Sequence, residues 1–234
     1  DKEAAKRNMS VAIVKYNAGN IRSVINALHR LGVEPVLTDD ANELRRADKI
    51  LFPGQGEART AMSYLREHHM DDLIKGLTQP VLGICIGQQL LCRHSEEGNT
   101  ECLGIFDVDV YRFQPTRHED KVPAMGWQEV RLTEPSSDQK RTDCTNSIKE
   151  ESSYKGQKNL FRRRTLNTDM HQENDYFYFV HSYYVPLCKW TIAEADYILP
   201  YSAALHKDNF WSTQFHPEKS GKAGEQLLKN FLEL

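Results

Sequence analysis

Several things are scarce in this 234-residue chain, and each shortage removes a class of protein. No apolar run approaches the ~20 residues that span a bilayer. The opening DKEAAKRN lacks the apolar segment of a secretory signal, so a cytoplasmic protein with no membrane partner is expected. Residues 1–8 read as a disordered lead-in or an expression remnant, with one folded domain expected over 9–234. There is no basic excess: 30 Lys and Arg against 33 Asp and Glu leave a formal charge of -3, which lacks the electrostatic footprint of a nucleic-acid binder. Five cysteines, an odd number without a CxxC pair, argue against a disulfide framework or a structural zinc site. The nine histidines are scattered. No metal and no cofactor is assigned, and no internal repeat is found.

What is present is alternation. VAIV (11–14) is a short strand apolar on both faces, and NIRSVINALHRLG follows with Ile21, Val24, Ile25 and Leu28 at helical spacing, closed by Gly32 as a C-terminal cap. EPVLTDD and ADKILFPG repeat the strand pattern, TAMSYLREHHMDDLIKGL reads as one helix, and PVLGI as the next strand. Strands alternating with helices imply an α/β fold: an open, mostly parallel sheet covered on both sides. In the second half LGIFDVDVYRF, YFYFVHSYYV, TIAEADYI and SAALHKDNFWSTQFH predict additional antiparallel strands, and AGEQLLKNFLEL a final helix. Residues ~133–172 are polar with little periodicity and are expected to form a surface insertion.

Three stretches carry chemistry. In GICIG (83–87) a cysteine stands between two glycines where a strand turns sharply into a helix, the G-x-nucleophile-x-G form that exposes a strained side chain. The first N–H groups of a helix favour a thiolate. A lone cysteine in an apolar stretch is otherwise often an inert core residue, so Cys85 needs partners. HPE (216–218), read as an extended segment, projects His216 and Glu218 to one side with Pro217 between them, supplying a base and its orienter. Alone it could equally be a surface turn. In LFPGQGEA (51–58), Gly54, Gln55 and Gly56 leave backbone N–H groups free in a tight loop that, with the N–H of Ile86, can form an oxyanion hole; alone it is a glycine-rich turn. Each stretch follows a predicted strand, and the carboxyl ends of strands are where open α/β sheets build sites.

Together, Pro53-Gly54-Gln55-Gly56, Gly83 to Gln89 and His216-Pro217-Glu218 resemble the PGxG loop, GxCxGxQ elbow and late HPE of the class I, triad-type glutamine amidotransferases, with their flavodoxin-like fold. Within that family YNAGNIRSV (16–24), KVPAMGW (121–127), YFYFVHSYY (176–184) and HPEKS (216–220) are similar to the glutaminase subunits of imidazole glycerol phosphate synthases. The likeness runs from about Val11 to the C-terminus, the insertion excepted. It implies that Cys85 attacks the amide of glutamine, that His216 protonates the leaving ammonia and Glu218 orients it, and that Gln89 with His181, Ser182 and Tyr183 holds the amino-acid end. It also implies a heterodimer with a (β/α)8 cyclase that receives the ammonia, with Asn20, Trp127 and Lys219 as interface candidates. Lys15, Gln55, Ala124 and Gln128 depart from the family's usual residues. Rival readings are an amidotransferase subunit of another synthase, such as the anthranilate type, a catalytically dead regulatory subunit, and a cysteine hydrolase acting alone.

Overall fold

The computed structural model describes residues 9–17, 19, 21–133, 159–161 and 175–234. A nine-stranded sheet organises them. Its first half is parallel, in the spatial order β2 (Val36–Thr38), β1 (Val11–Val14), β3 (Lys49–Gly54), β4 (Val81–Cys85), β13 (Phe210–Thr213). From β13 it continues antiparallel through β12 (Leu199–Lys207), β11 (Thr191–Tyr197), β8 (Ala124–Leu132) and β9 (Asp175–His181). The expected antiparallel extension is therefore present. A second, mixed sheet stands beside it: β5 (Cys92–Ser95), β6 (Thr100–Glu101), β7 (Phe106–Arg112) and β10 (Tyr183–Tyr184) pair in the order β10-β7-β5-β6, antiparallel except for the parallel pair β5–β7.

The unbroken apolar runs of the central strands follow from burial on both faces. Ala12, Val14, Ile50 and Phe52 face one core with α2 (Ala41–Arg46), α3 (Ala58–Glu67) and α4 (Met70–Lys75). Val11, Ile13, Leu51 and Leu82 face the other, with α1 (Arg22–Arg30) and α6 (Gly221–Leu232). Caps close helix ends, at Gly32 where the sequence placed one and at Asp40 where it named none. Gly32, at φ +74°, closes α1 with Val33 N–H bonded to Leu28 O and Gly32 N–H to His29 O, the paired bonds of a Schellman motif. Asp40 Oδ1 accepts from the N–H groups of Asn42 and Glu43 at the start of α2.

Three local expectations are corrected. The single helix expected through the adjacent histidines is two, α3 and α4, because His69 adopts the left-handed conformation at φ +55° and interrupts the ladder. The helix after Cys85, α5 (Ile86–Leu90), is one short turn and a half, and the chain is already a strand again at Cys92. The ~133–172 stretch lies mostly outside the described residues, as do residues 1–8. Its apolar island is no surface segment, however: Leu160 is fully buried and its carbonyl accepts from Asn230 Nδ2 at 2.7 Å. No helix among the described residues is long and apolar enough to cross a membrane.

Candidate active site

Strands β3, β4 and β13 are neighbours and parallel, so their C-terminal ends form one edge. Gly54 ends β3, Cys85 ends β4, and His216 follows β13 by three residues. The turn at Cys85 is strained: its φ and ψ are +55° and -110°, a conformation side chains rarely adopt and one that aims the thiol away from the strand. Glycine is required around it. A Cβ at Gly87 would lie 1.9 Å from the Phe52 carbonyl oxygen, and one at Gly54 2.2 Å from the Tyr16 hydroxyl and 2.3 Å from Ile86 Cγ2. Tyr16 closes the other side of the loop by donating to Pro53 O at 2.8 Å.

His216 and Glu218 meet, but not through an extended segment. Pro217–Lys219 is a turn of 3-10 helix with proline at its first position, and this curl brings Glu218 Oε1 to 2.7 Å from His216 Nδ1. Both side chains are almost wholly buried. His216 Nε2, at the other end of the ring, has no conventional hydrogen-bond partner among the described residues. Burial alone would lower the imidazole pKa, but the Cys85 sulfur and the Glu218 carboxylate overcome it and raise it to about 10. The ring is therefore held as an imidazolium when the sulfur is a thiolate.

Cys85, itself 7% exposed, lies on the wall of a pocket of about 270 Å³. Gln55, Gly56, Ile86, Gln89, His181, Ser182 and Tyr183 line the same pocket; Gly54, His216 and Glu218 stand outside its wall. Residues 181–183 occupy a corner: β9 ends at His181 in the first sheet and β10 begins at Tyr183 in the second. Gln89 Nε2 donates to Tyr183 O and to Gln214 Oε1, both at 3.0 Å. His181 is buried with its Nδ1 donating to Tyr183 O at 2.7 Å. Burial and the nearby His216 lower its pKa to about 4 against the pull of that carbonyl, so it is neutral, with Nε2 bare.

Sequence reasoning missed Glu97, Pro123 and Val180, which also line the pocket. Glu97 Oε2 accepts from the Ala58 N–H at the start of α3 at 2.8 Å; burial raises its pKa, partly offset by that bond, and Glu57 adds to the rise. Nothing in SEEGN distinguishes Glu97 from its neighbours. Gln214, whose amide nitrogen lies 3.9 Å from Cys85 Sγ, sits two residues before His216, and that position was its one available signal.

The interface candidates separate. Trp127 is 56% exposed on β8, far from the core packing expected of most tryptophans. Lys219 is half-buried in the 3-10 turn. Asn20 lies outside the described residues.

A cysteine on a strained strand-to-helix turn, an imidazole whose pKa it raises, and a carboxylate behind the imidazole agree with the comparisons with known proteins. A family model for class I glutamine amidotransferases matches residues 12–234. A Bacteroides fragilis protein named imidazole glycerol phosphate synthase subunit HisH is 56% identical over 226 residues, 97% of this chain and all of that one. Its Escherichia coli K12 namesake is 42% identical over 227 residues, again 97% of this chain and all of the relative. Among solved structures, one described as glutamine amidotransferase has a TM-score of 0.63 at 18% identity, covering 96% of this chain and 98% of its own. PurLQS from Thermotoga maritima follows at 0.59 and 14%, with the same coverage; both likenesses speak to the fold. The chain belongs to the class I glutamine amidotransferases.

Proposed function

We propose that this chain is the glutaminase subunit of an imidazole glycerol phosphate synthase, hydrolysing glutamine through a thioester on Cys85 and passing the ammonia to a cyclase. The observation that carries the reading is the convergence of Cys85, His216 and Glu218 at one sheet edge, in a chain more than half identical, end to end, to relatives bearing that name. The thiolate attacks the side-chain carbonyl carbon of glutamine. Negative charge on the carbonyl oxygen is met by the N–H of Ile86 and by backbone N–H groups of Gly54, Gln55 and Gly56. His216 donates its proton to the departing nitrogen, which leaves as ammonia, and then accepts one from the water that cleaves the thioester to glutamate. Glu218 stabilises the imidazolium and fixes its tautomer. On the same pocket wall the Glu97 carboxylate suits the substrate's ammonium group. So does Gln89 Oε1, since its Nε2 is already engaged.

Ammonia is a nucleophile only while unprotonated, so a covered path to the acceptor is required. A face suited to a partner adjoins the site. In the β8–β9 ladder Trp127 pairs with Tyr178 and Met125 with Val180; Met125, Trp127 and Tyr176 are each more than half exposed, while Val180 lines the pocket. The alternate residues Ala124, Phe177, Phe179 and His181 are buried. One apolar side thus runs from open surface to the nucleophile, and the turn bearing Lys219 packs against β9. We assign it to a (β/α)8 cyclase in a heterodimer. The test is glutamate release with and without that cyclase and its ribonucleotide substrate, for the parent and Cys85→Ala. Stimulation by the cyclase, lost in C85A while synthesis from added ammonium salts persists, is expected. C85A hydrolysing glutamine at the parent rate overturns the triad. An unstimulated parent overturns the partner and points to a hydrolase acting alone.

A further inference from the structure

Among the described residues, Cys85 Sγ has as polar neighbours the His216 imidazole, the Val180 carbonyl oxygen at 3.9 Å and the Gln214 amide nitrogen at 3.9 Å. Their polarities decide their uses. A thiol can donate to the Val180 carbonyl, but a thiolate has no proton to give and meets only that oxygen's negative end. The thiolate therefore needs donors, and α5 offers few: a helix of five residues carries little of the macrodipole that a longer one would bring.

Gln214 is fully buried, and which end of its amide faces the sulfur follows from its neighbours. The Tyr183 carbonyl can only accept, so the Gln89 group bonded to it must be the NH2. The same Gln89 NH2 also reaches Gln214 at 3.0 Å, so the Gln214 atom there must be the acceptor oxygen. Its own NH2 is thereby turned to Sγ. His181 Nδ1 donates to the same Tyr183 carbonyl, so one backbone oxygen orients both a ring and a chain of two amides ending at the nucleophile.

We propose that Gln214 is a hydrogen-bond donor to the Cys85 thiolate, held in the donating orientation by Tyr183 O through Gln89. This rests on the assignment of Cys85 as the nucleophile. It gives Gln214 a role distinct from that of the adjacent pair Gln88 and Ser212. Those two are equally buried but spend their polar atoms on each other at 3.0 Å and, for Gln88, on Ser202 O at 3.3 Å.

The experiment is the pH dependence of Cys85 alkylation by iodoacetamide, followed by peptide mass spectrometry on the full chain, for the parent, Gln214→Met and Gln214→Glu. The midpoint belongs to the Cys85–His216 pair. The N···S separation is long for a charge-assisted bond, so the expected rise in Q214M is modest. It is about one pH unit, or about tenfold less thiolate at a pH below the midpoint. Q214E, which replaces the donor by an acceptor, rises further, and the acidic limb of kcat/KM for glutamine moves with the midpoint in both. A loss of activity or melting temperature with an unmoved midpoint shows a packing role only and overturns the proposal. Failure of the parent's Cys85 to alkylate ahead of Cys92, Cys102 and Cys188 sinks the nucleophile assignment instead. Should neither variant melt cooperatively, the unmutated chain still decides. The Gln214 side-chain amide resonance must titrate with Cys85 and cease to do so in Cys85→Ser; an amide indifferent to that titration refutes the bond.

Discussion

Acidification should unfold this protein earlier than its carboxylates alone would require, and the reason is one ring. His181 is 5% exposed and packed by Phe113, Phe179 and Tyr201 with centroids 5.2, 5.6 and 5.2 Å away. Its pKa is lowered to about 4 by burial and by the nearby His216. In the unfolded chain the same imidazole takes its proton near 6.5. A folded pKa below the unfolded one means that stability is complete above 6.5 and is lost as the pH falls towards 4. At 1.36 kcal/mol per pH unit, the gap amounts to about 3 kcal/mol by pH 4, and to about 2 kcal/mol between pH 7 and pH 5. His216 acts in the opposite sense: with its folded pKa raised to about 10, its contribution is complete well below its unfolded value and is lost as the pH rises from 6.5 towards 10, so between pH 7 and 5 it offsets part of the loss in parent and variant alike. The perturbation that isolates His181 is His181→Gln, which keeps a donor for the Tyr183 carbonyl and cannot titrate. The assay is the urea-unfolding free energy of parent and variant at several pH values between about 7 and 5. Subtraction removes the half-buried His206, whose pKa burial also lowers, and the carboxylates. A parent curve steeper than the variant's by about 2 kcal/mol over that interval is expected; parallel curves would refute the neutral, buried assignment.

Two further outcomes follow from packing. Gly87→Ala places a methyl 1.9 Å from the Phe52 carbonyl, a backbone atom that cannot yield, and should cost about 3 kcal/mol or more in thermal unfolding. Gly32→Ala, at φ +74° with open space around it, should cost about 1 kcal/mol. A loss in Gly87→Ala no larger than that in Gly32→Ala would mean that the Phe52 contact relaxes rather than decides. Trp127→Ala, which removes a side chain 56% exposed, should change the melting free energy by less than about 0.5 kcal/mol. If Trp127 anchors the cyclase, the same variant weakens the complex by about 2 kcal/mol, roughly thirtyfold in Kd by titration calorimetry; an unchanged Kd removes it from the interface.

What the sequence disclosed and what it withheld divide by the range over which the cause acts. The elbow was legible because strand, glycines and cysteine are contiguous, and Gly87 serves a clearance against the Phe52 backbone that any residue with a Cβ would violate, while Gly83 packs closely against Leu91 and the Gly87 backbone. The doubly covered sheet was legible in VAIV and ILF, apolar at every position. The pairing of His216 with Glu218 was legible as a pairing but not as a shape. An i, i+2 argument assumes extended backbone, whereas proline at the first position of a turn favours the 3-10 curl. The length of α5 was not legible either. GQQLL has helical spacing, but Leu91 and Cys92 are drawn into the core beneath the second sheet, and tertiary burial overrides a local preference. Glu97 and Gln214 were hidden for a stronger reason. Glu97 reaches the pocket because a turn 12 residues past Cys85 folds back onto the start of α3. Gln214 matters only because Tyr183, 31 residues upstream, and Gln89, 125 residues upstream, fix its amide. Neither relation leaves a spacing in the chain. A motif names the groups proposed to react, while the groups that surround and orient them are chosen by the fold.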